Sequence, residues 1–145
     1  MKKSGFTLVE ILVVIVIISM LAAISLPSIQ KARNRAAIIR TKGIISSIEA
    51  ALFMYQTDMG NYPESTGSNL ILIDALMGPM DDENWKGPYM RFKEKDMDEN
   101  KNIIDTWGYP VKYKYPQTEK ENVPFIIVSA GPDRKFNTKD DIGNW

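Results

Sequence analysis

From Phe6 to Leu26 the chain is almost continuously apolar, and this stretch constrains the fold before any other residue is read. As a helix it would measure about 31 Å at 1.5 Å per residue, enough to cross the hydrocarbon core of a bilayer. Of the 145 residues, only about 115 then remain to build a core, which is room for one small head domain. A secretory signal has a shorter, uncharged apolar region followed by a small-residue cleavage site. Ala22-Ala23-Ile24-Ser25 passes for such a site, but the run is too long and carries Glu10 in its interior. An acid at that depth costs about 3 kcal/mol unless it finds a partner. A carboxylate in hydrocarbon either protonates or pairs with a cation. The nearest cation would be the amine that a cut after Gly5 creates on Phe6, in the same chain or in a neighbour. A plain signal anchor with an incidental glutamate is the simpler alternative, and it leaves Glu10 without a reason.

Gly5-Phe6-Thr7-Leu8-Val9-Glu10 resembles the processing motif of the type IV pilin-like family, in which a prepilin peptidase cuts after the glycine and methylates the new N-terminal phenylalanine. The resemblance implies a leader at residues 1–5, with Gly5 at the cut and Phe6 as the methylated terminus. It makes Glu10 the acid that serves methylation and subunit registration. Pro27 matches the family's helix-kinking proline. Independently of the resemblance, Pro27 lacks a backbone donor and clashes with the carbonyl four residues back, so a kink or local melting is expected there. Lys2 and Lys3 flank one end of the span, while Lys31, Arg33, Arg35, Arg40 and Lys42 crowd the other. The positive-inside rule therefore leaves the orientation undecided. The resemblance implies a cytoplasmic N terminus, where the leader meets the peptidase, and a periplasmic head. The basic residues after the span read as headgroup or filament-surface side chains.

Beyond Pro27 no strong breaker precedes Gly60-Asn61-Tyr62-Pro63, and Ile38, Ile45, Ile48, Leu52 and Tyr55 recur at helical spacing. The pattern predicts one long helix of about 50 residues. Its part over 6–27 is apolar all round and serves as transmembrane and filament-core segment. Its continuation over 28–60 is amphipathic, with one apolar stripe against a head over 61–145. In the head, Leu70 to Leu76 reads as a short helix and Ile103-Ile104 as a possible short strand. Val111 to Tyr115 alternates as a half-buried strand, and Phe125 to Val128 reads as a buried strand antiparallel to it. The aromatic residues around Trp85-Lys86-Gly87-Pro88-Tyr89 and Trp107-Gly108-Tyr109-Pro110 read as core packing. The fold class is α+β, a long N-terminal helix packed on a small antiparallel sheet.

The order of Asn-Tyr-Pro after the helix, Gly-Pro-Tyr, and Asp105-Thr106-Trp107-Gly108 before a tyrosine-bearing strand is similar to the major pseudopilins of type II secretion systems. The acidic stretch Phe92 to Asn102 has no counterpart that we can place in that pattern. Within it, Asp96 to Asn102 imitates the odd-numbered ligands of an EF-hand. Lys101, however, stands where the loop needs glycine and Trp107 where it needs the closing glutamate, so the stretch reads as a hydrated loop.

The chain has no cysteine and no histidine. Disulfides, thiol or imidazole catalysis and the usual zinc ligands are thereby excluded. An exported head without disulfides needs another staple. The run from Ser129 to Ile142 gathers Asp133, Asn137, Asp140 and Asp141 in one loop. Hard oxygens on a turn suit Ca²⁺, although a solvated acidic loop has the same composition. The run also resembles the calcium loop of major pseudopilins, down to its Asp-Ile-Gly-Asn-Trp ending. That resemblance implies Asp133, Asp140 and Asp141 as side-chain ligands, with the carbonyls of Ala130 and Phe136 completing the shell.

Lys plus Arg and Asp plus Glu both total 18, which gives no support to a nucleic-acid partner. The expected function is that of a non-enzymatic subunit of a type II secretion pseudopilus, which polymerises to drive folded proteins across the outer membrane. Its implied partners are copies of itself, prepilin peptidase, minor pseudopilins, an inner-membrane assembly platform, and lipid before assembly. A type IV pilus subunit for adhesion, motility or DNA uptake is the alternative. An anchored exported enzyme fits poorly, because neither a nucleophile elbow nor a phosphate-cradling glycine loop occurs.

Overall fold

The computed structural model describes residues 6–145, apart from the side chain of Thr66. Helix α1 runs over Leu8–Met59, 52 residues without a break. Gly60 follows with φ of +82°, and its N–H donates to the Gln56 carbonyl at 2.8 Å. A glycine just past the last turn adopts this left-handed conformation at no steric cost, which is why the helix ends where the pattern predicted. Of the two outcomes expected at Pro27, local melting does not occur, because α1 is helical on both sides of the proline and through it. The proline costs the helix about 3 kcal/mol, a local loss set against a ladder that continues for 52 residues.

The chain divides into two compact units, one ending at Ala36 and one spanning Ala37–Trp145. In the first, every side chain from Phe6 to Ala36 is exposed. That includes the whole apolar run, and α1 is long and apolar enough there to cross a membrane. An exposed surface of Leu, Ile and Val on this scale belongs in lipid or against other copies of the helix.

The second unit holds the core. Ile45, Ile48, Leu52 and Tyr55 of α1 are buried as the spacing predicted, together with Thr41 and Ala51, while Ile38 packs at the margin. Helix α2 covers Leu70–Met77 and buries Leu72, Ala75 and Leu76. The sheet consists of β1 (Ser65–Thr66), β2 (Lys112–Tyr115), β3 (Ile126–Ser129) and β4 (Ile142–Gly143). They lie in sequence order and all neighbours are antiparallel. The expected pair is β2 and β3, with Tyr113 opposite Ile127. The flanking two-residue strands lack any readable alternation and escape prediction.

Two further expectations need correction. The buried strand begins at Ile126 rather than Phe125, since pairing with β2 ends at Ile126 opposite Lys114, and Phe125 packs its ring against Tyr62 (4.8 Å between centroids) and Tyr113 (6.0 Å). Ile103-Ile104 forms no strand but two isolated bridges, Met97 with Ile103 and Ile104 with Pro110. The aromatic residues are indeed core material. Trp85, Tyr89, Trp107 and Tyr115 pack against the buried cluster. The Tyr113 hydroxyl donates to the Pro63 carbonyl at 2.7 Å, and burial pushes its pKa up, so it remains a donor.

Candidate functional site

The N-terminal site is built by the first turn of α1. Thr7 N–H and Thr7 Oγ1 both donate to Glu10 Oε2 at 2.8 Å, and Glu10 N–H donates back to Thr7 Oγ1 at 3.3 Å. This is a capping box, in which a threonine and the glutamate three residues on satisfy each other's orphaned groups. The Thr-x-x-Glu spacing of Thr7 and Glu10 is the sequence signature of this cap, a signal separate from the charge of Glu10. The carboxylate is thus held by Thr7, and Phe6, which precedes Thr7 in the chain, is 81% exposed. Gly5 lies outside the described residues. Pro27 sits in α1, well away from this turn in sequence.

The C-terminal site follows β3. Ser129 is buried, and its Oγ donates to Asp105 Oδ2 at 2.6 Å while accepting from Gly131 N–H at 3.1 Å. Gly131 has φ of +65°, and a Cβ there would lie 2.2 Å from the Asp140 carbonyl oxygen. Only glycine lets the two ends of the loop meet this closely. Asp133 N–H donates to Asp140 Oδ2 at 3.1 Å. Thr138 Oγ1 donates to Asp140 Oδ1 at 2.6 Å and lies 3.4 Å from Asp141 Oδ1. Asn137 N–H reaches Asp141 Oδ2 at 2.8 Å. Hydrogen bonding by Thr138, the leading cause, holds the Asp140 carboxyl below its usual range, so it is ionised at neutral pH.

Asp140 and Asp141 therefore face one hydroxyl. Asp133 joins them through its backbone, and its carboxylate instead accepts from Lys135 N–H at 2.8 Å. Among the described residues no three acidic side chains form one metal-sized cluster. The set expected from the sequence is thus brought into one loop, with two of its three carboxylates converging. Ala130 is buried and Phe136 half-buried, its ring 3.8 Å from Lys112 Nζ. The donors are all hard oxygens on a loop that closes on itself, and that chemistry fits Ca²⁺.

Three buried polar groups tie distant segments of the head together. Asn69, 1% exposed, donates from Nδ2 to the carbonyls of Ile103 at 2.9 Å and Val111 at 2.6 Å, and its Oδ1 accepts from Ile103 N–H at 3.2 Å. Asp105 accepts from Trp107 N–H and Tyr109 N–H, both at 2.9 Å, and from Ser129. Thr41 of α1 donates to Thr106 Oγ1 at 2.9 Å. The EF-hand imitation is closed by its own members. Asp98 accepts from Asn100 N–H and Asn102 N–H, and these bonds, led by the Asn102 side chain, hold its carboxyl below the usual range.

The family model described as type II secretion system protein G matches residues 28–145, and the prokaryotic N-terminal methylation motif matches residues 1–26. Among relatives, the type II secretion system core protein G of Pseudomonas aeruginosa is 37% identical over 99% of this chain and 96% of its own length. That of Escherichia coli K12 is 33% identical over 99% and 92%. The crystal structure of the major pseudopilin from the type 2 secretion system of enterohaemorrhagic Escherichia coli superposes with a TM-score of 0.56 at 26% identity, covering 79% of this chain and 87% of that one. The exposed apolar helix with its capped glutamate and the small antiparallel head are thus matched together along the chain, which belongs to the type II secretion protein G family, the major pseudopilins.

Proposed function

We infer that the chain is a structural subunit of the type II secretion pseudopilus, held in the inner membrane by residues 6–27 with its N terminus cytoplasmic and its head periplasmic before it polymerises. Family membership carries the pseudopilus and removes the pilus alternative. One observation supports the finer steps above others: Phe6, Thr7 and Glu10 form the capped, exposed start of an apolar helix. Prepilin peptidase would cut after Gly5, and the freed Phe6 amine of a neighbour would then replace Thr7 as the partner of Glu10. The apolar faces left open in the monomer would pack on copies of themselves, and the growing polymer would push folded cargo outward without chemistry of its own. Minor pseudopilins and an inner-membrane platform are the expected assembly partners. The mature protein is expected to begin at Phe6 and to carry one extra methyl group, read by mass spectrometry of its N-terminal peptide. A chain still beginning at Met1, or beginning after Ser25, would refute the reading.

A structural calcium ion is the second element of the proposal. Asp140 and Asp141 would supply carboxylate oxygens, with Asp133 and the carbonyls of Ala130 and Phe136 completing the shell. When bound, Ca²⁺ offsets the repulsion of neighbouring carboxylates and ties the loop between β3 and β4 to the sheet. This is the staple that a cysteine-free head otherwise lacks. Occupancy at one hundred times Kd stabilises by about 2.7 kcal/mol. Chelation should therefore lower the melting temperature of the head on the order of 10 °C. Asp140→Ala with Asp141→Ala should remove that sensitivity. A melting curve indifferent to chelator would exclude the metal.

A further inference from the structure

Each head carries a cationic groove and, elsewhere, an exposed acidic loop. The groove, about 870 Å³, lies over β2 and β3, with the loop from Phe136 to Asp141 as one wall. Four ammonium groups line it, those of Lys112, Lys114, Lys120 and Lys139, against the carboxylates of Glu119 and Asp141. Both carboxylates are engaged, Glu119 with Lys114 and Asp141 with Asn137 N–H. Two of the lysines are held in place by aromatic rings. Lys112 Nζ sits 3.8 Å above Phe136 and Lys120 Nζ 4.3 Å above Trp145, contacts that fix a cation without neutralising it.

The opposite charge lies at Asp81, Asp82 and Glu83, all exposed, in the connection after α2. Asp82 is oriented by Asn84 N–H at 2.9 Å. Among the described residues the only ion pairs are Lys86 with Asp58 and Lys114 with Glu119, so none of the three acids meets a cation in its own chain. The chain as a whole has zero formal net charge. The proposed cut after Gly5 removes Lys2 and Lys3 and leaves 16 basic residues against 18 acidic ones, and a subunit that carries two complementary charged patches is suited to meeting a second copy of itself. Because the patches differ, the contact is heterologous and repeats without closing into a dimer, as a filament requires.

We propose that the lysine groove over β2 and β3 receives the Asp81-Asp82-Glu83 loop of a neighbouring copy of this chain. The inference rests on the polymer reading above. It places the cation-binding loop in the wall of a subunit contact, which links the ordering of that loop to assembly.

The absence of cysteine makes the test clean. The full chain carrying Asp82→Cys and Lys139→Cys, expressed with its secretion system and mildly oxidised in sheared filaments, should give a ladder of dimers, trimers and higher species. Either single variant should give no ladder. Separately, Lys112→Glu with Lys139→Glu should cut sheared filament yield by about tenfold, since like charges would then face each other. Adding Asp81→Lys with Asp82→Lys in the same chain should restore it. Filaments that form normally without a ladder and are indifferent to charge reversal would overturn the contact and leave the polymer reading standing. Filaments formed at normal yield while secretion stops would assign the groove to an acidic foreign polypeptide and equally overturn it. Absence of any polymer from the parent chain would overturn both.

Discussion

Glu10→Leu should yield a chain that is still cut and inserted but forms no filament. In the monomer the carboxylate is held by two hydrogen bonds from Thr7, both 2.8 Å, so its exposure to the apolar surroundings of the span is already offset in part. In the proposed filament its partner would be the Phe6 amine of a neighbour, a charge that has left water. Removing one member of such a buried pair costs about 3 to 5 kcal/mol. At about 1.4 kcal/mol per decade, each contact weakens by more than a hundredfold, and the loss recurs at every subunit. Glu10→Gln separates the two roles of the residue. Glutamine can still close the capping box with Thr7, but it brings no charge to the neighbour's amine. Normal cleavage after Gly5 with loss of sheared filament in both variants supports the charge pairing. Parent-level filament from Glu10→Gln would show that the cap, not the charge, is what assembly needs.

The second large effect is expected at Asn69, which none of the readings from sequence selected. Asn69→Ala leaves Ile103 N–H and the Val111 carbonyl without their partner and takes one of two donors from the Ile103 carbonyl, which keeps Val111 N–H at 2.9 Å, in a place where Asn69 is 1% exposed and Ile103 fully buried. Each orphaned buried polar group costs about 1 to 3 kcal/mol. Partial relaxation and water entry reduce the sum, so about 3 kcal/mol is the expected loss for the head. For a unit of this size the melting temperature should fall by roughly 10 to 20 °C. Thermal unfolding of the unit Ala37–Trp145, followed by tryptophan fluorescence, reads this directly. An exposed control, Asn84→Ala, should shift the midpoint far less. Equal midpoints for Asn69→Ala and the parent would mean that these backbone groups find other partners, and the account of Asn69 as a staple would fail.

The parts of the fold that proved legible are those with a local signature. The apolar run, the stripe Ile45, Ile48, Leu52 and Tyr55, and the stop at Gly60 are all written within a few residues of the structure they specify. The strand at Lys112–Tyr115 shows as alternation, Tyr113 inward between Lys112 and Lys114. The edge strands β1 and β4 are two residues each and have no period to detect. Ile103-Ile104 looked like a strand because it is apolar and β-branched. It instead serves as an anchor, bonded to Asn69 from 34 residues away and bridged to Met97.

The candidate sites divide in the same way. Asp133, Asp140 and Asp141 were legible as a loop of hard oxygens, but their spacing along the chain does not say which carboxylates converge. Thr138 draws Asp140 and Asp141 together, while Asp133 turns to Lys135. The lysine groove draws on residues from Gly67 to Trp145 and exists only once the sheet has formed.

Sequence alone therefore determined that this chain has a membrane-length helix, an N-terminal methylation motif, a one-sided continuation and a family, because each of these is local in the chain. Only the tertiary structure decided the roles of Asn69, Asp105 and Thr41, the pairing of the loop carboxylates and the segregation of surface charge. Each of these depends on groups far apart in sequence that the packed head brings within hydrogen-bonding or Coulombic reach.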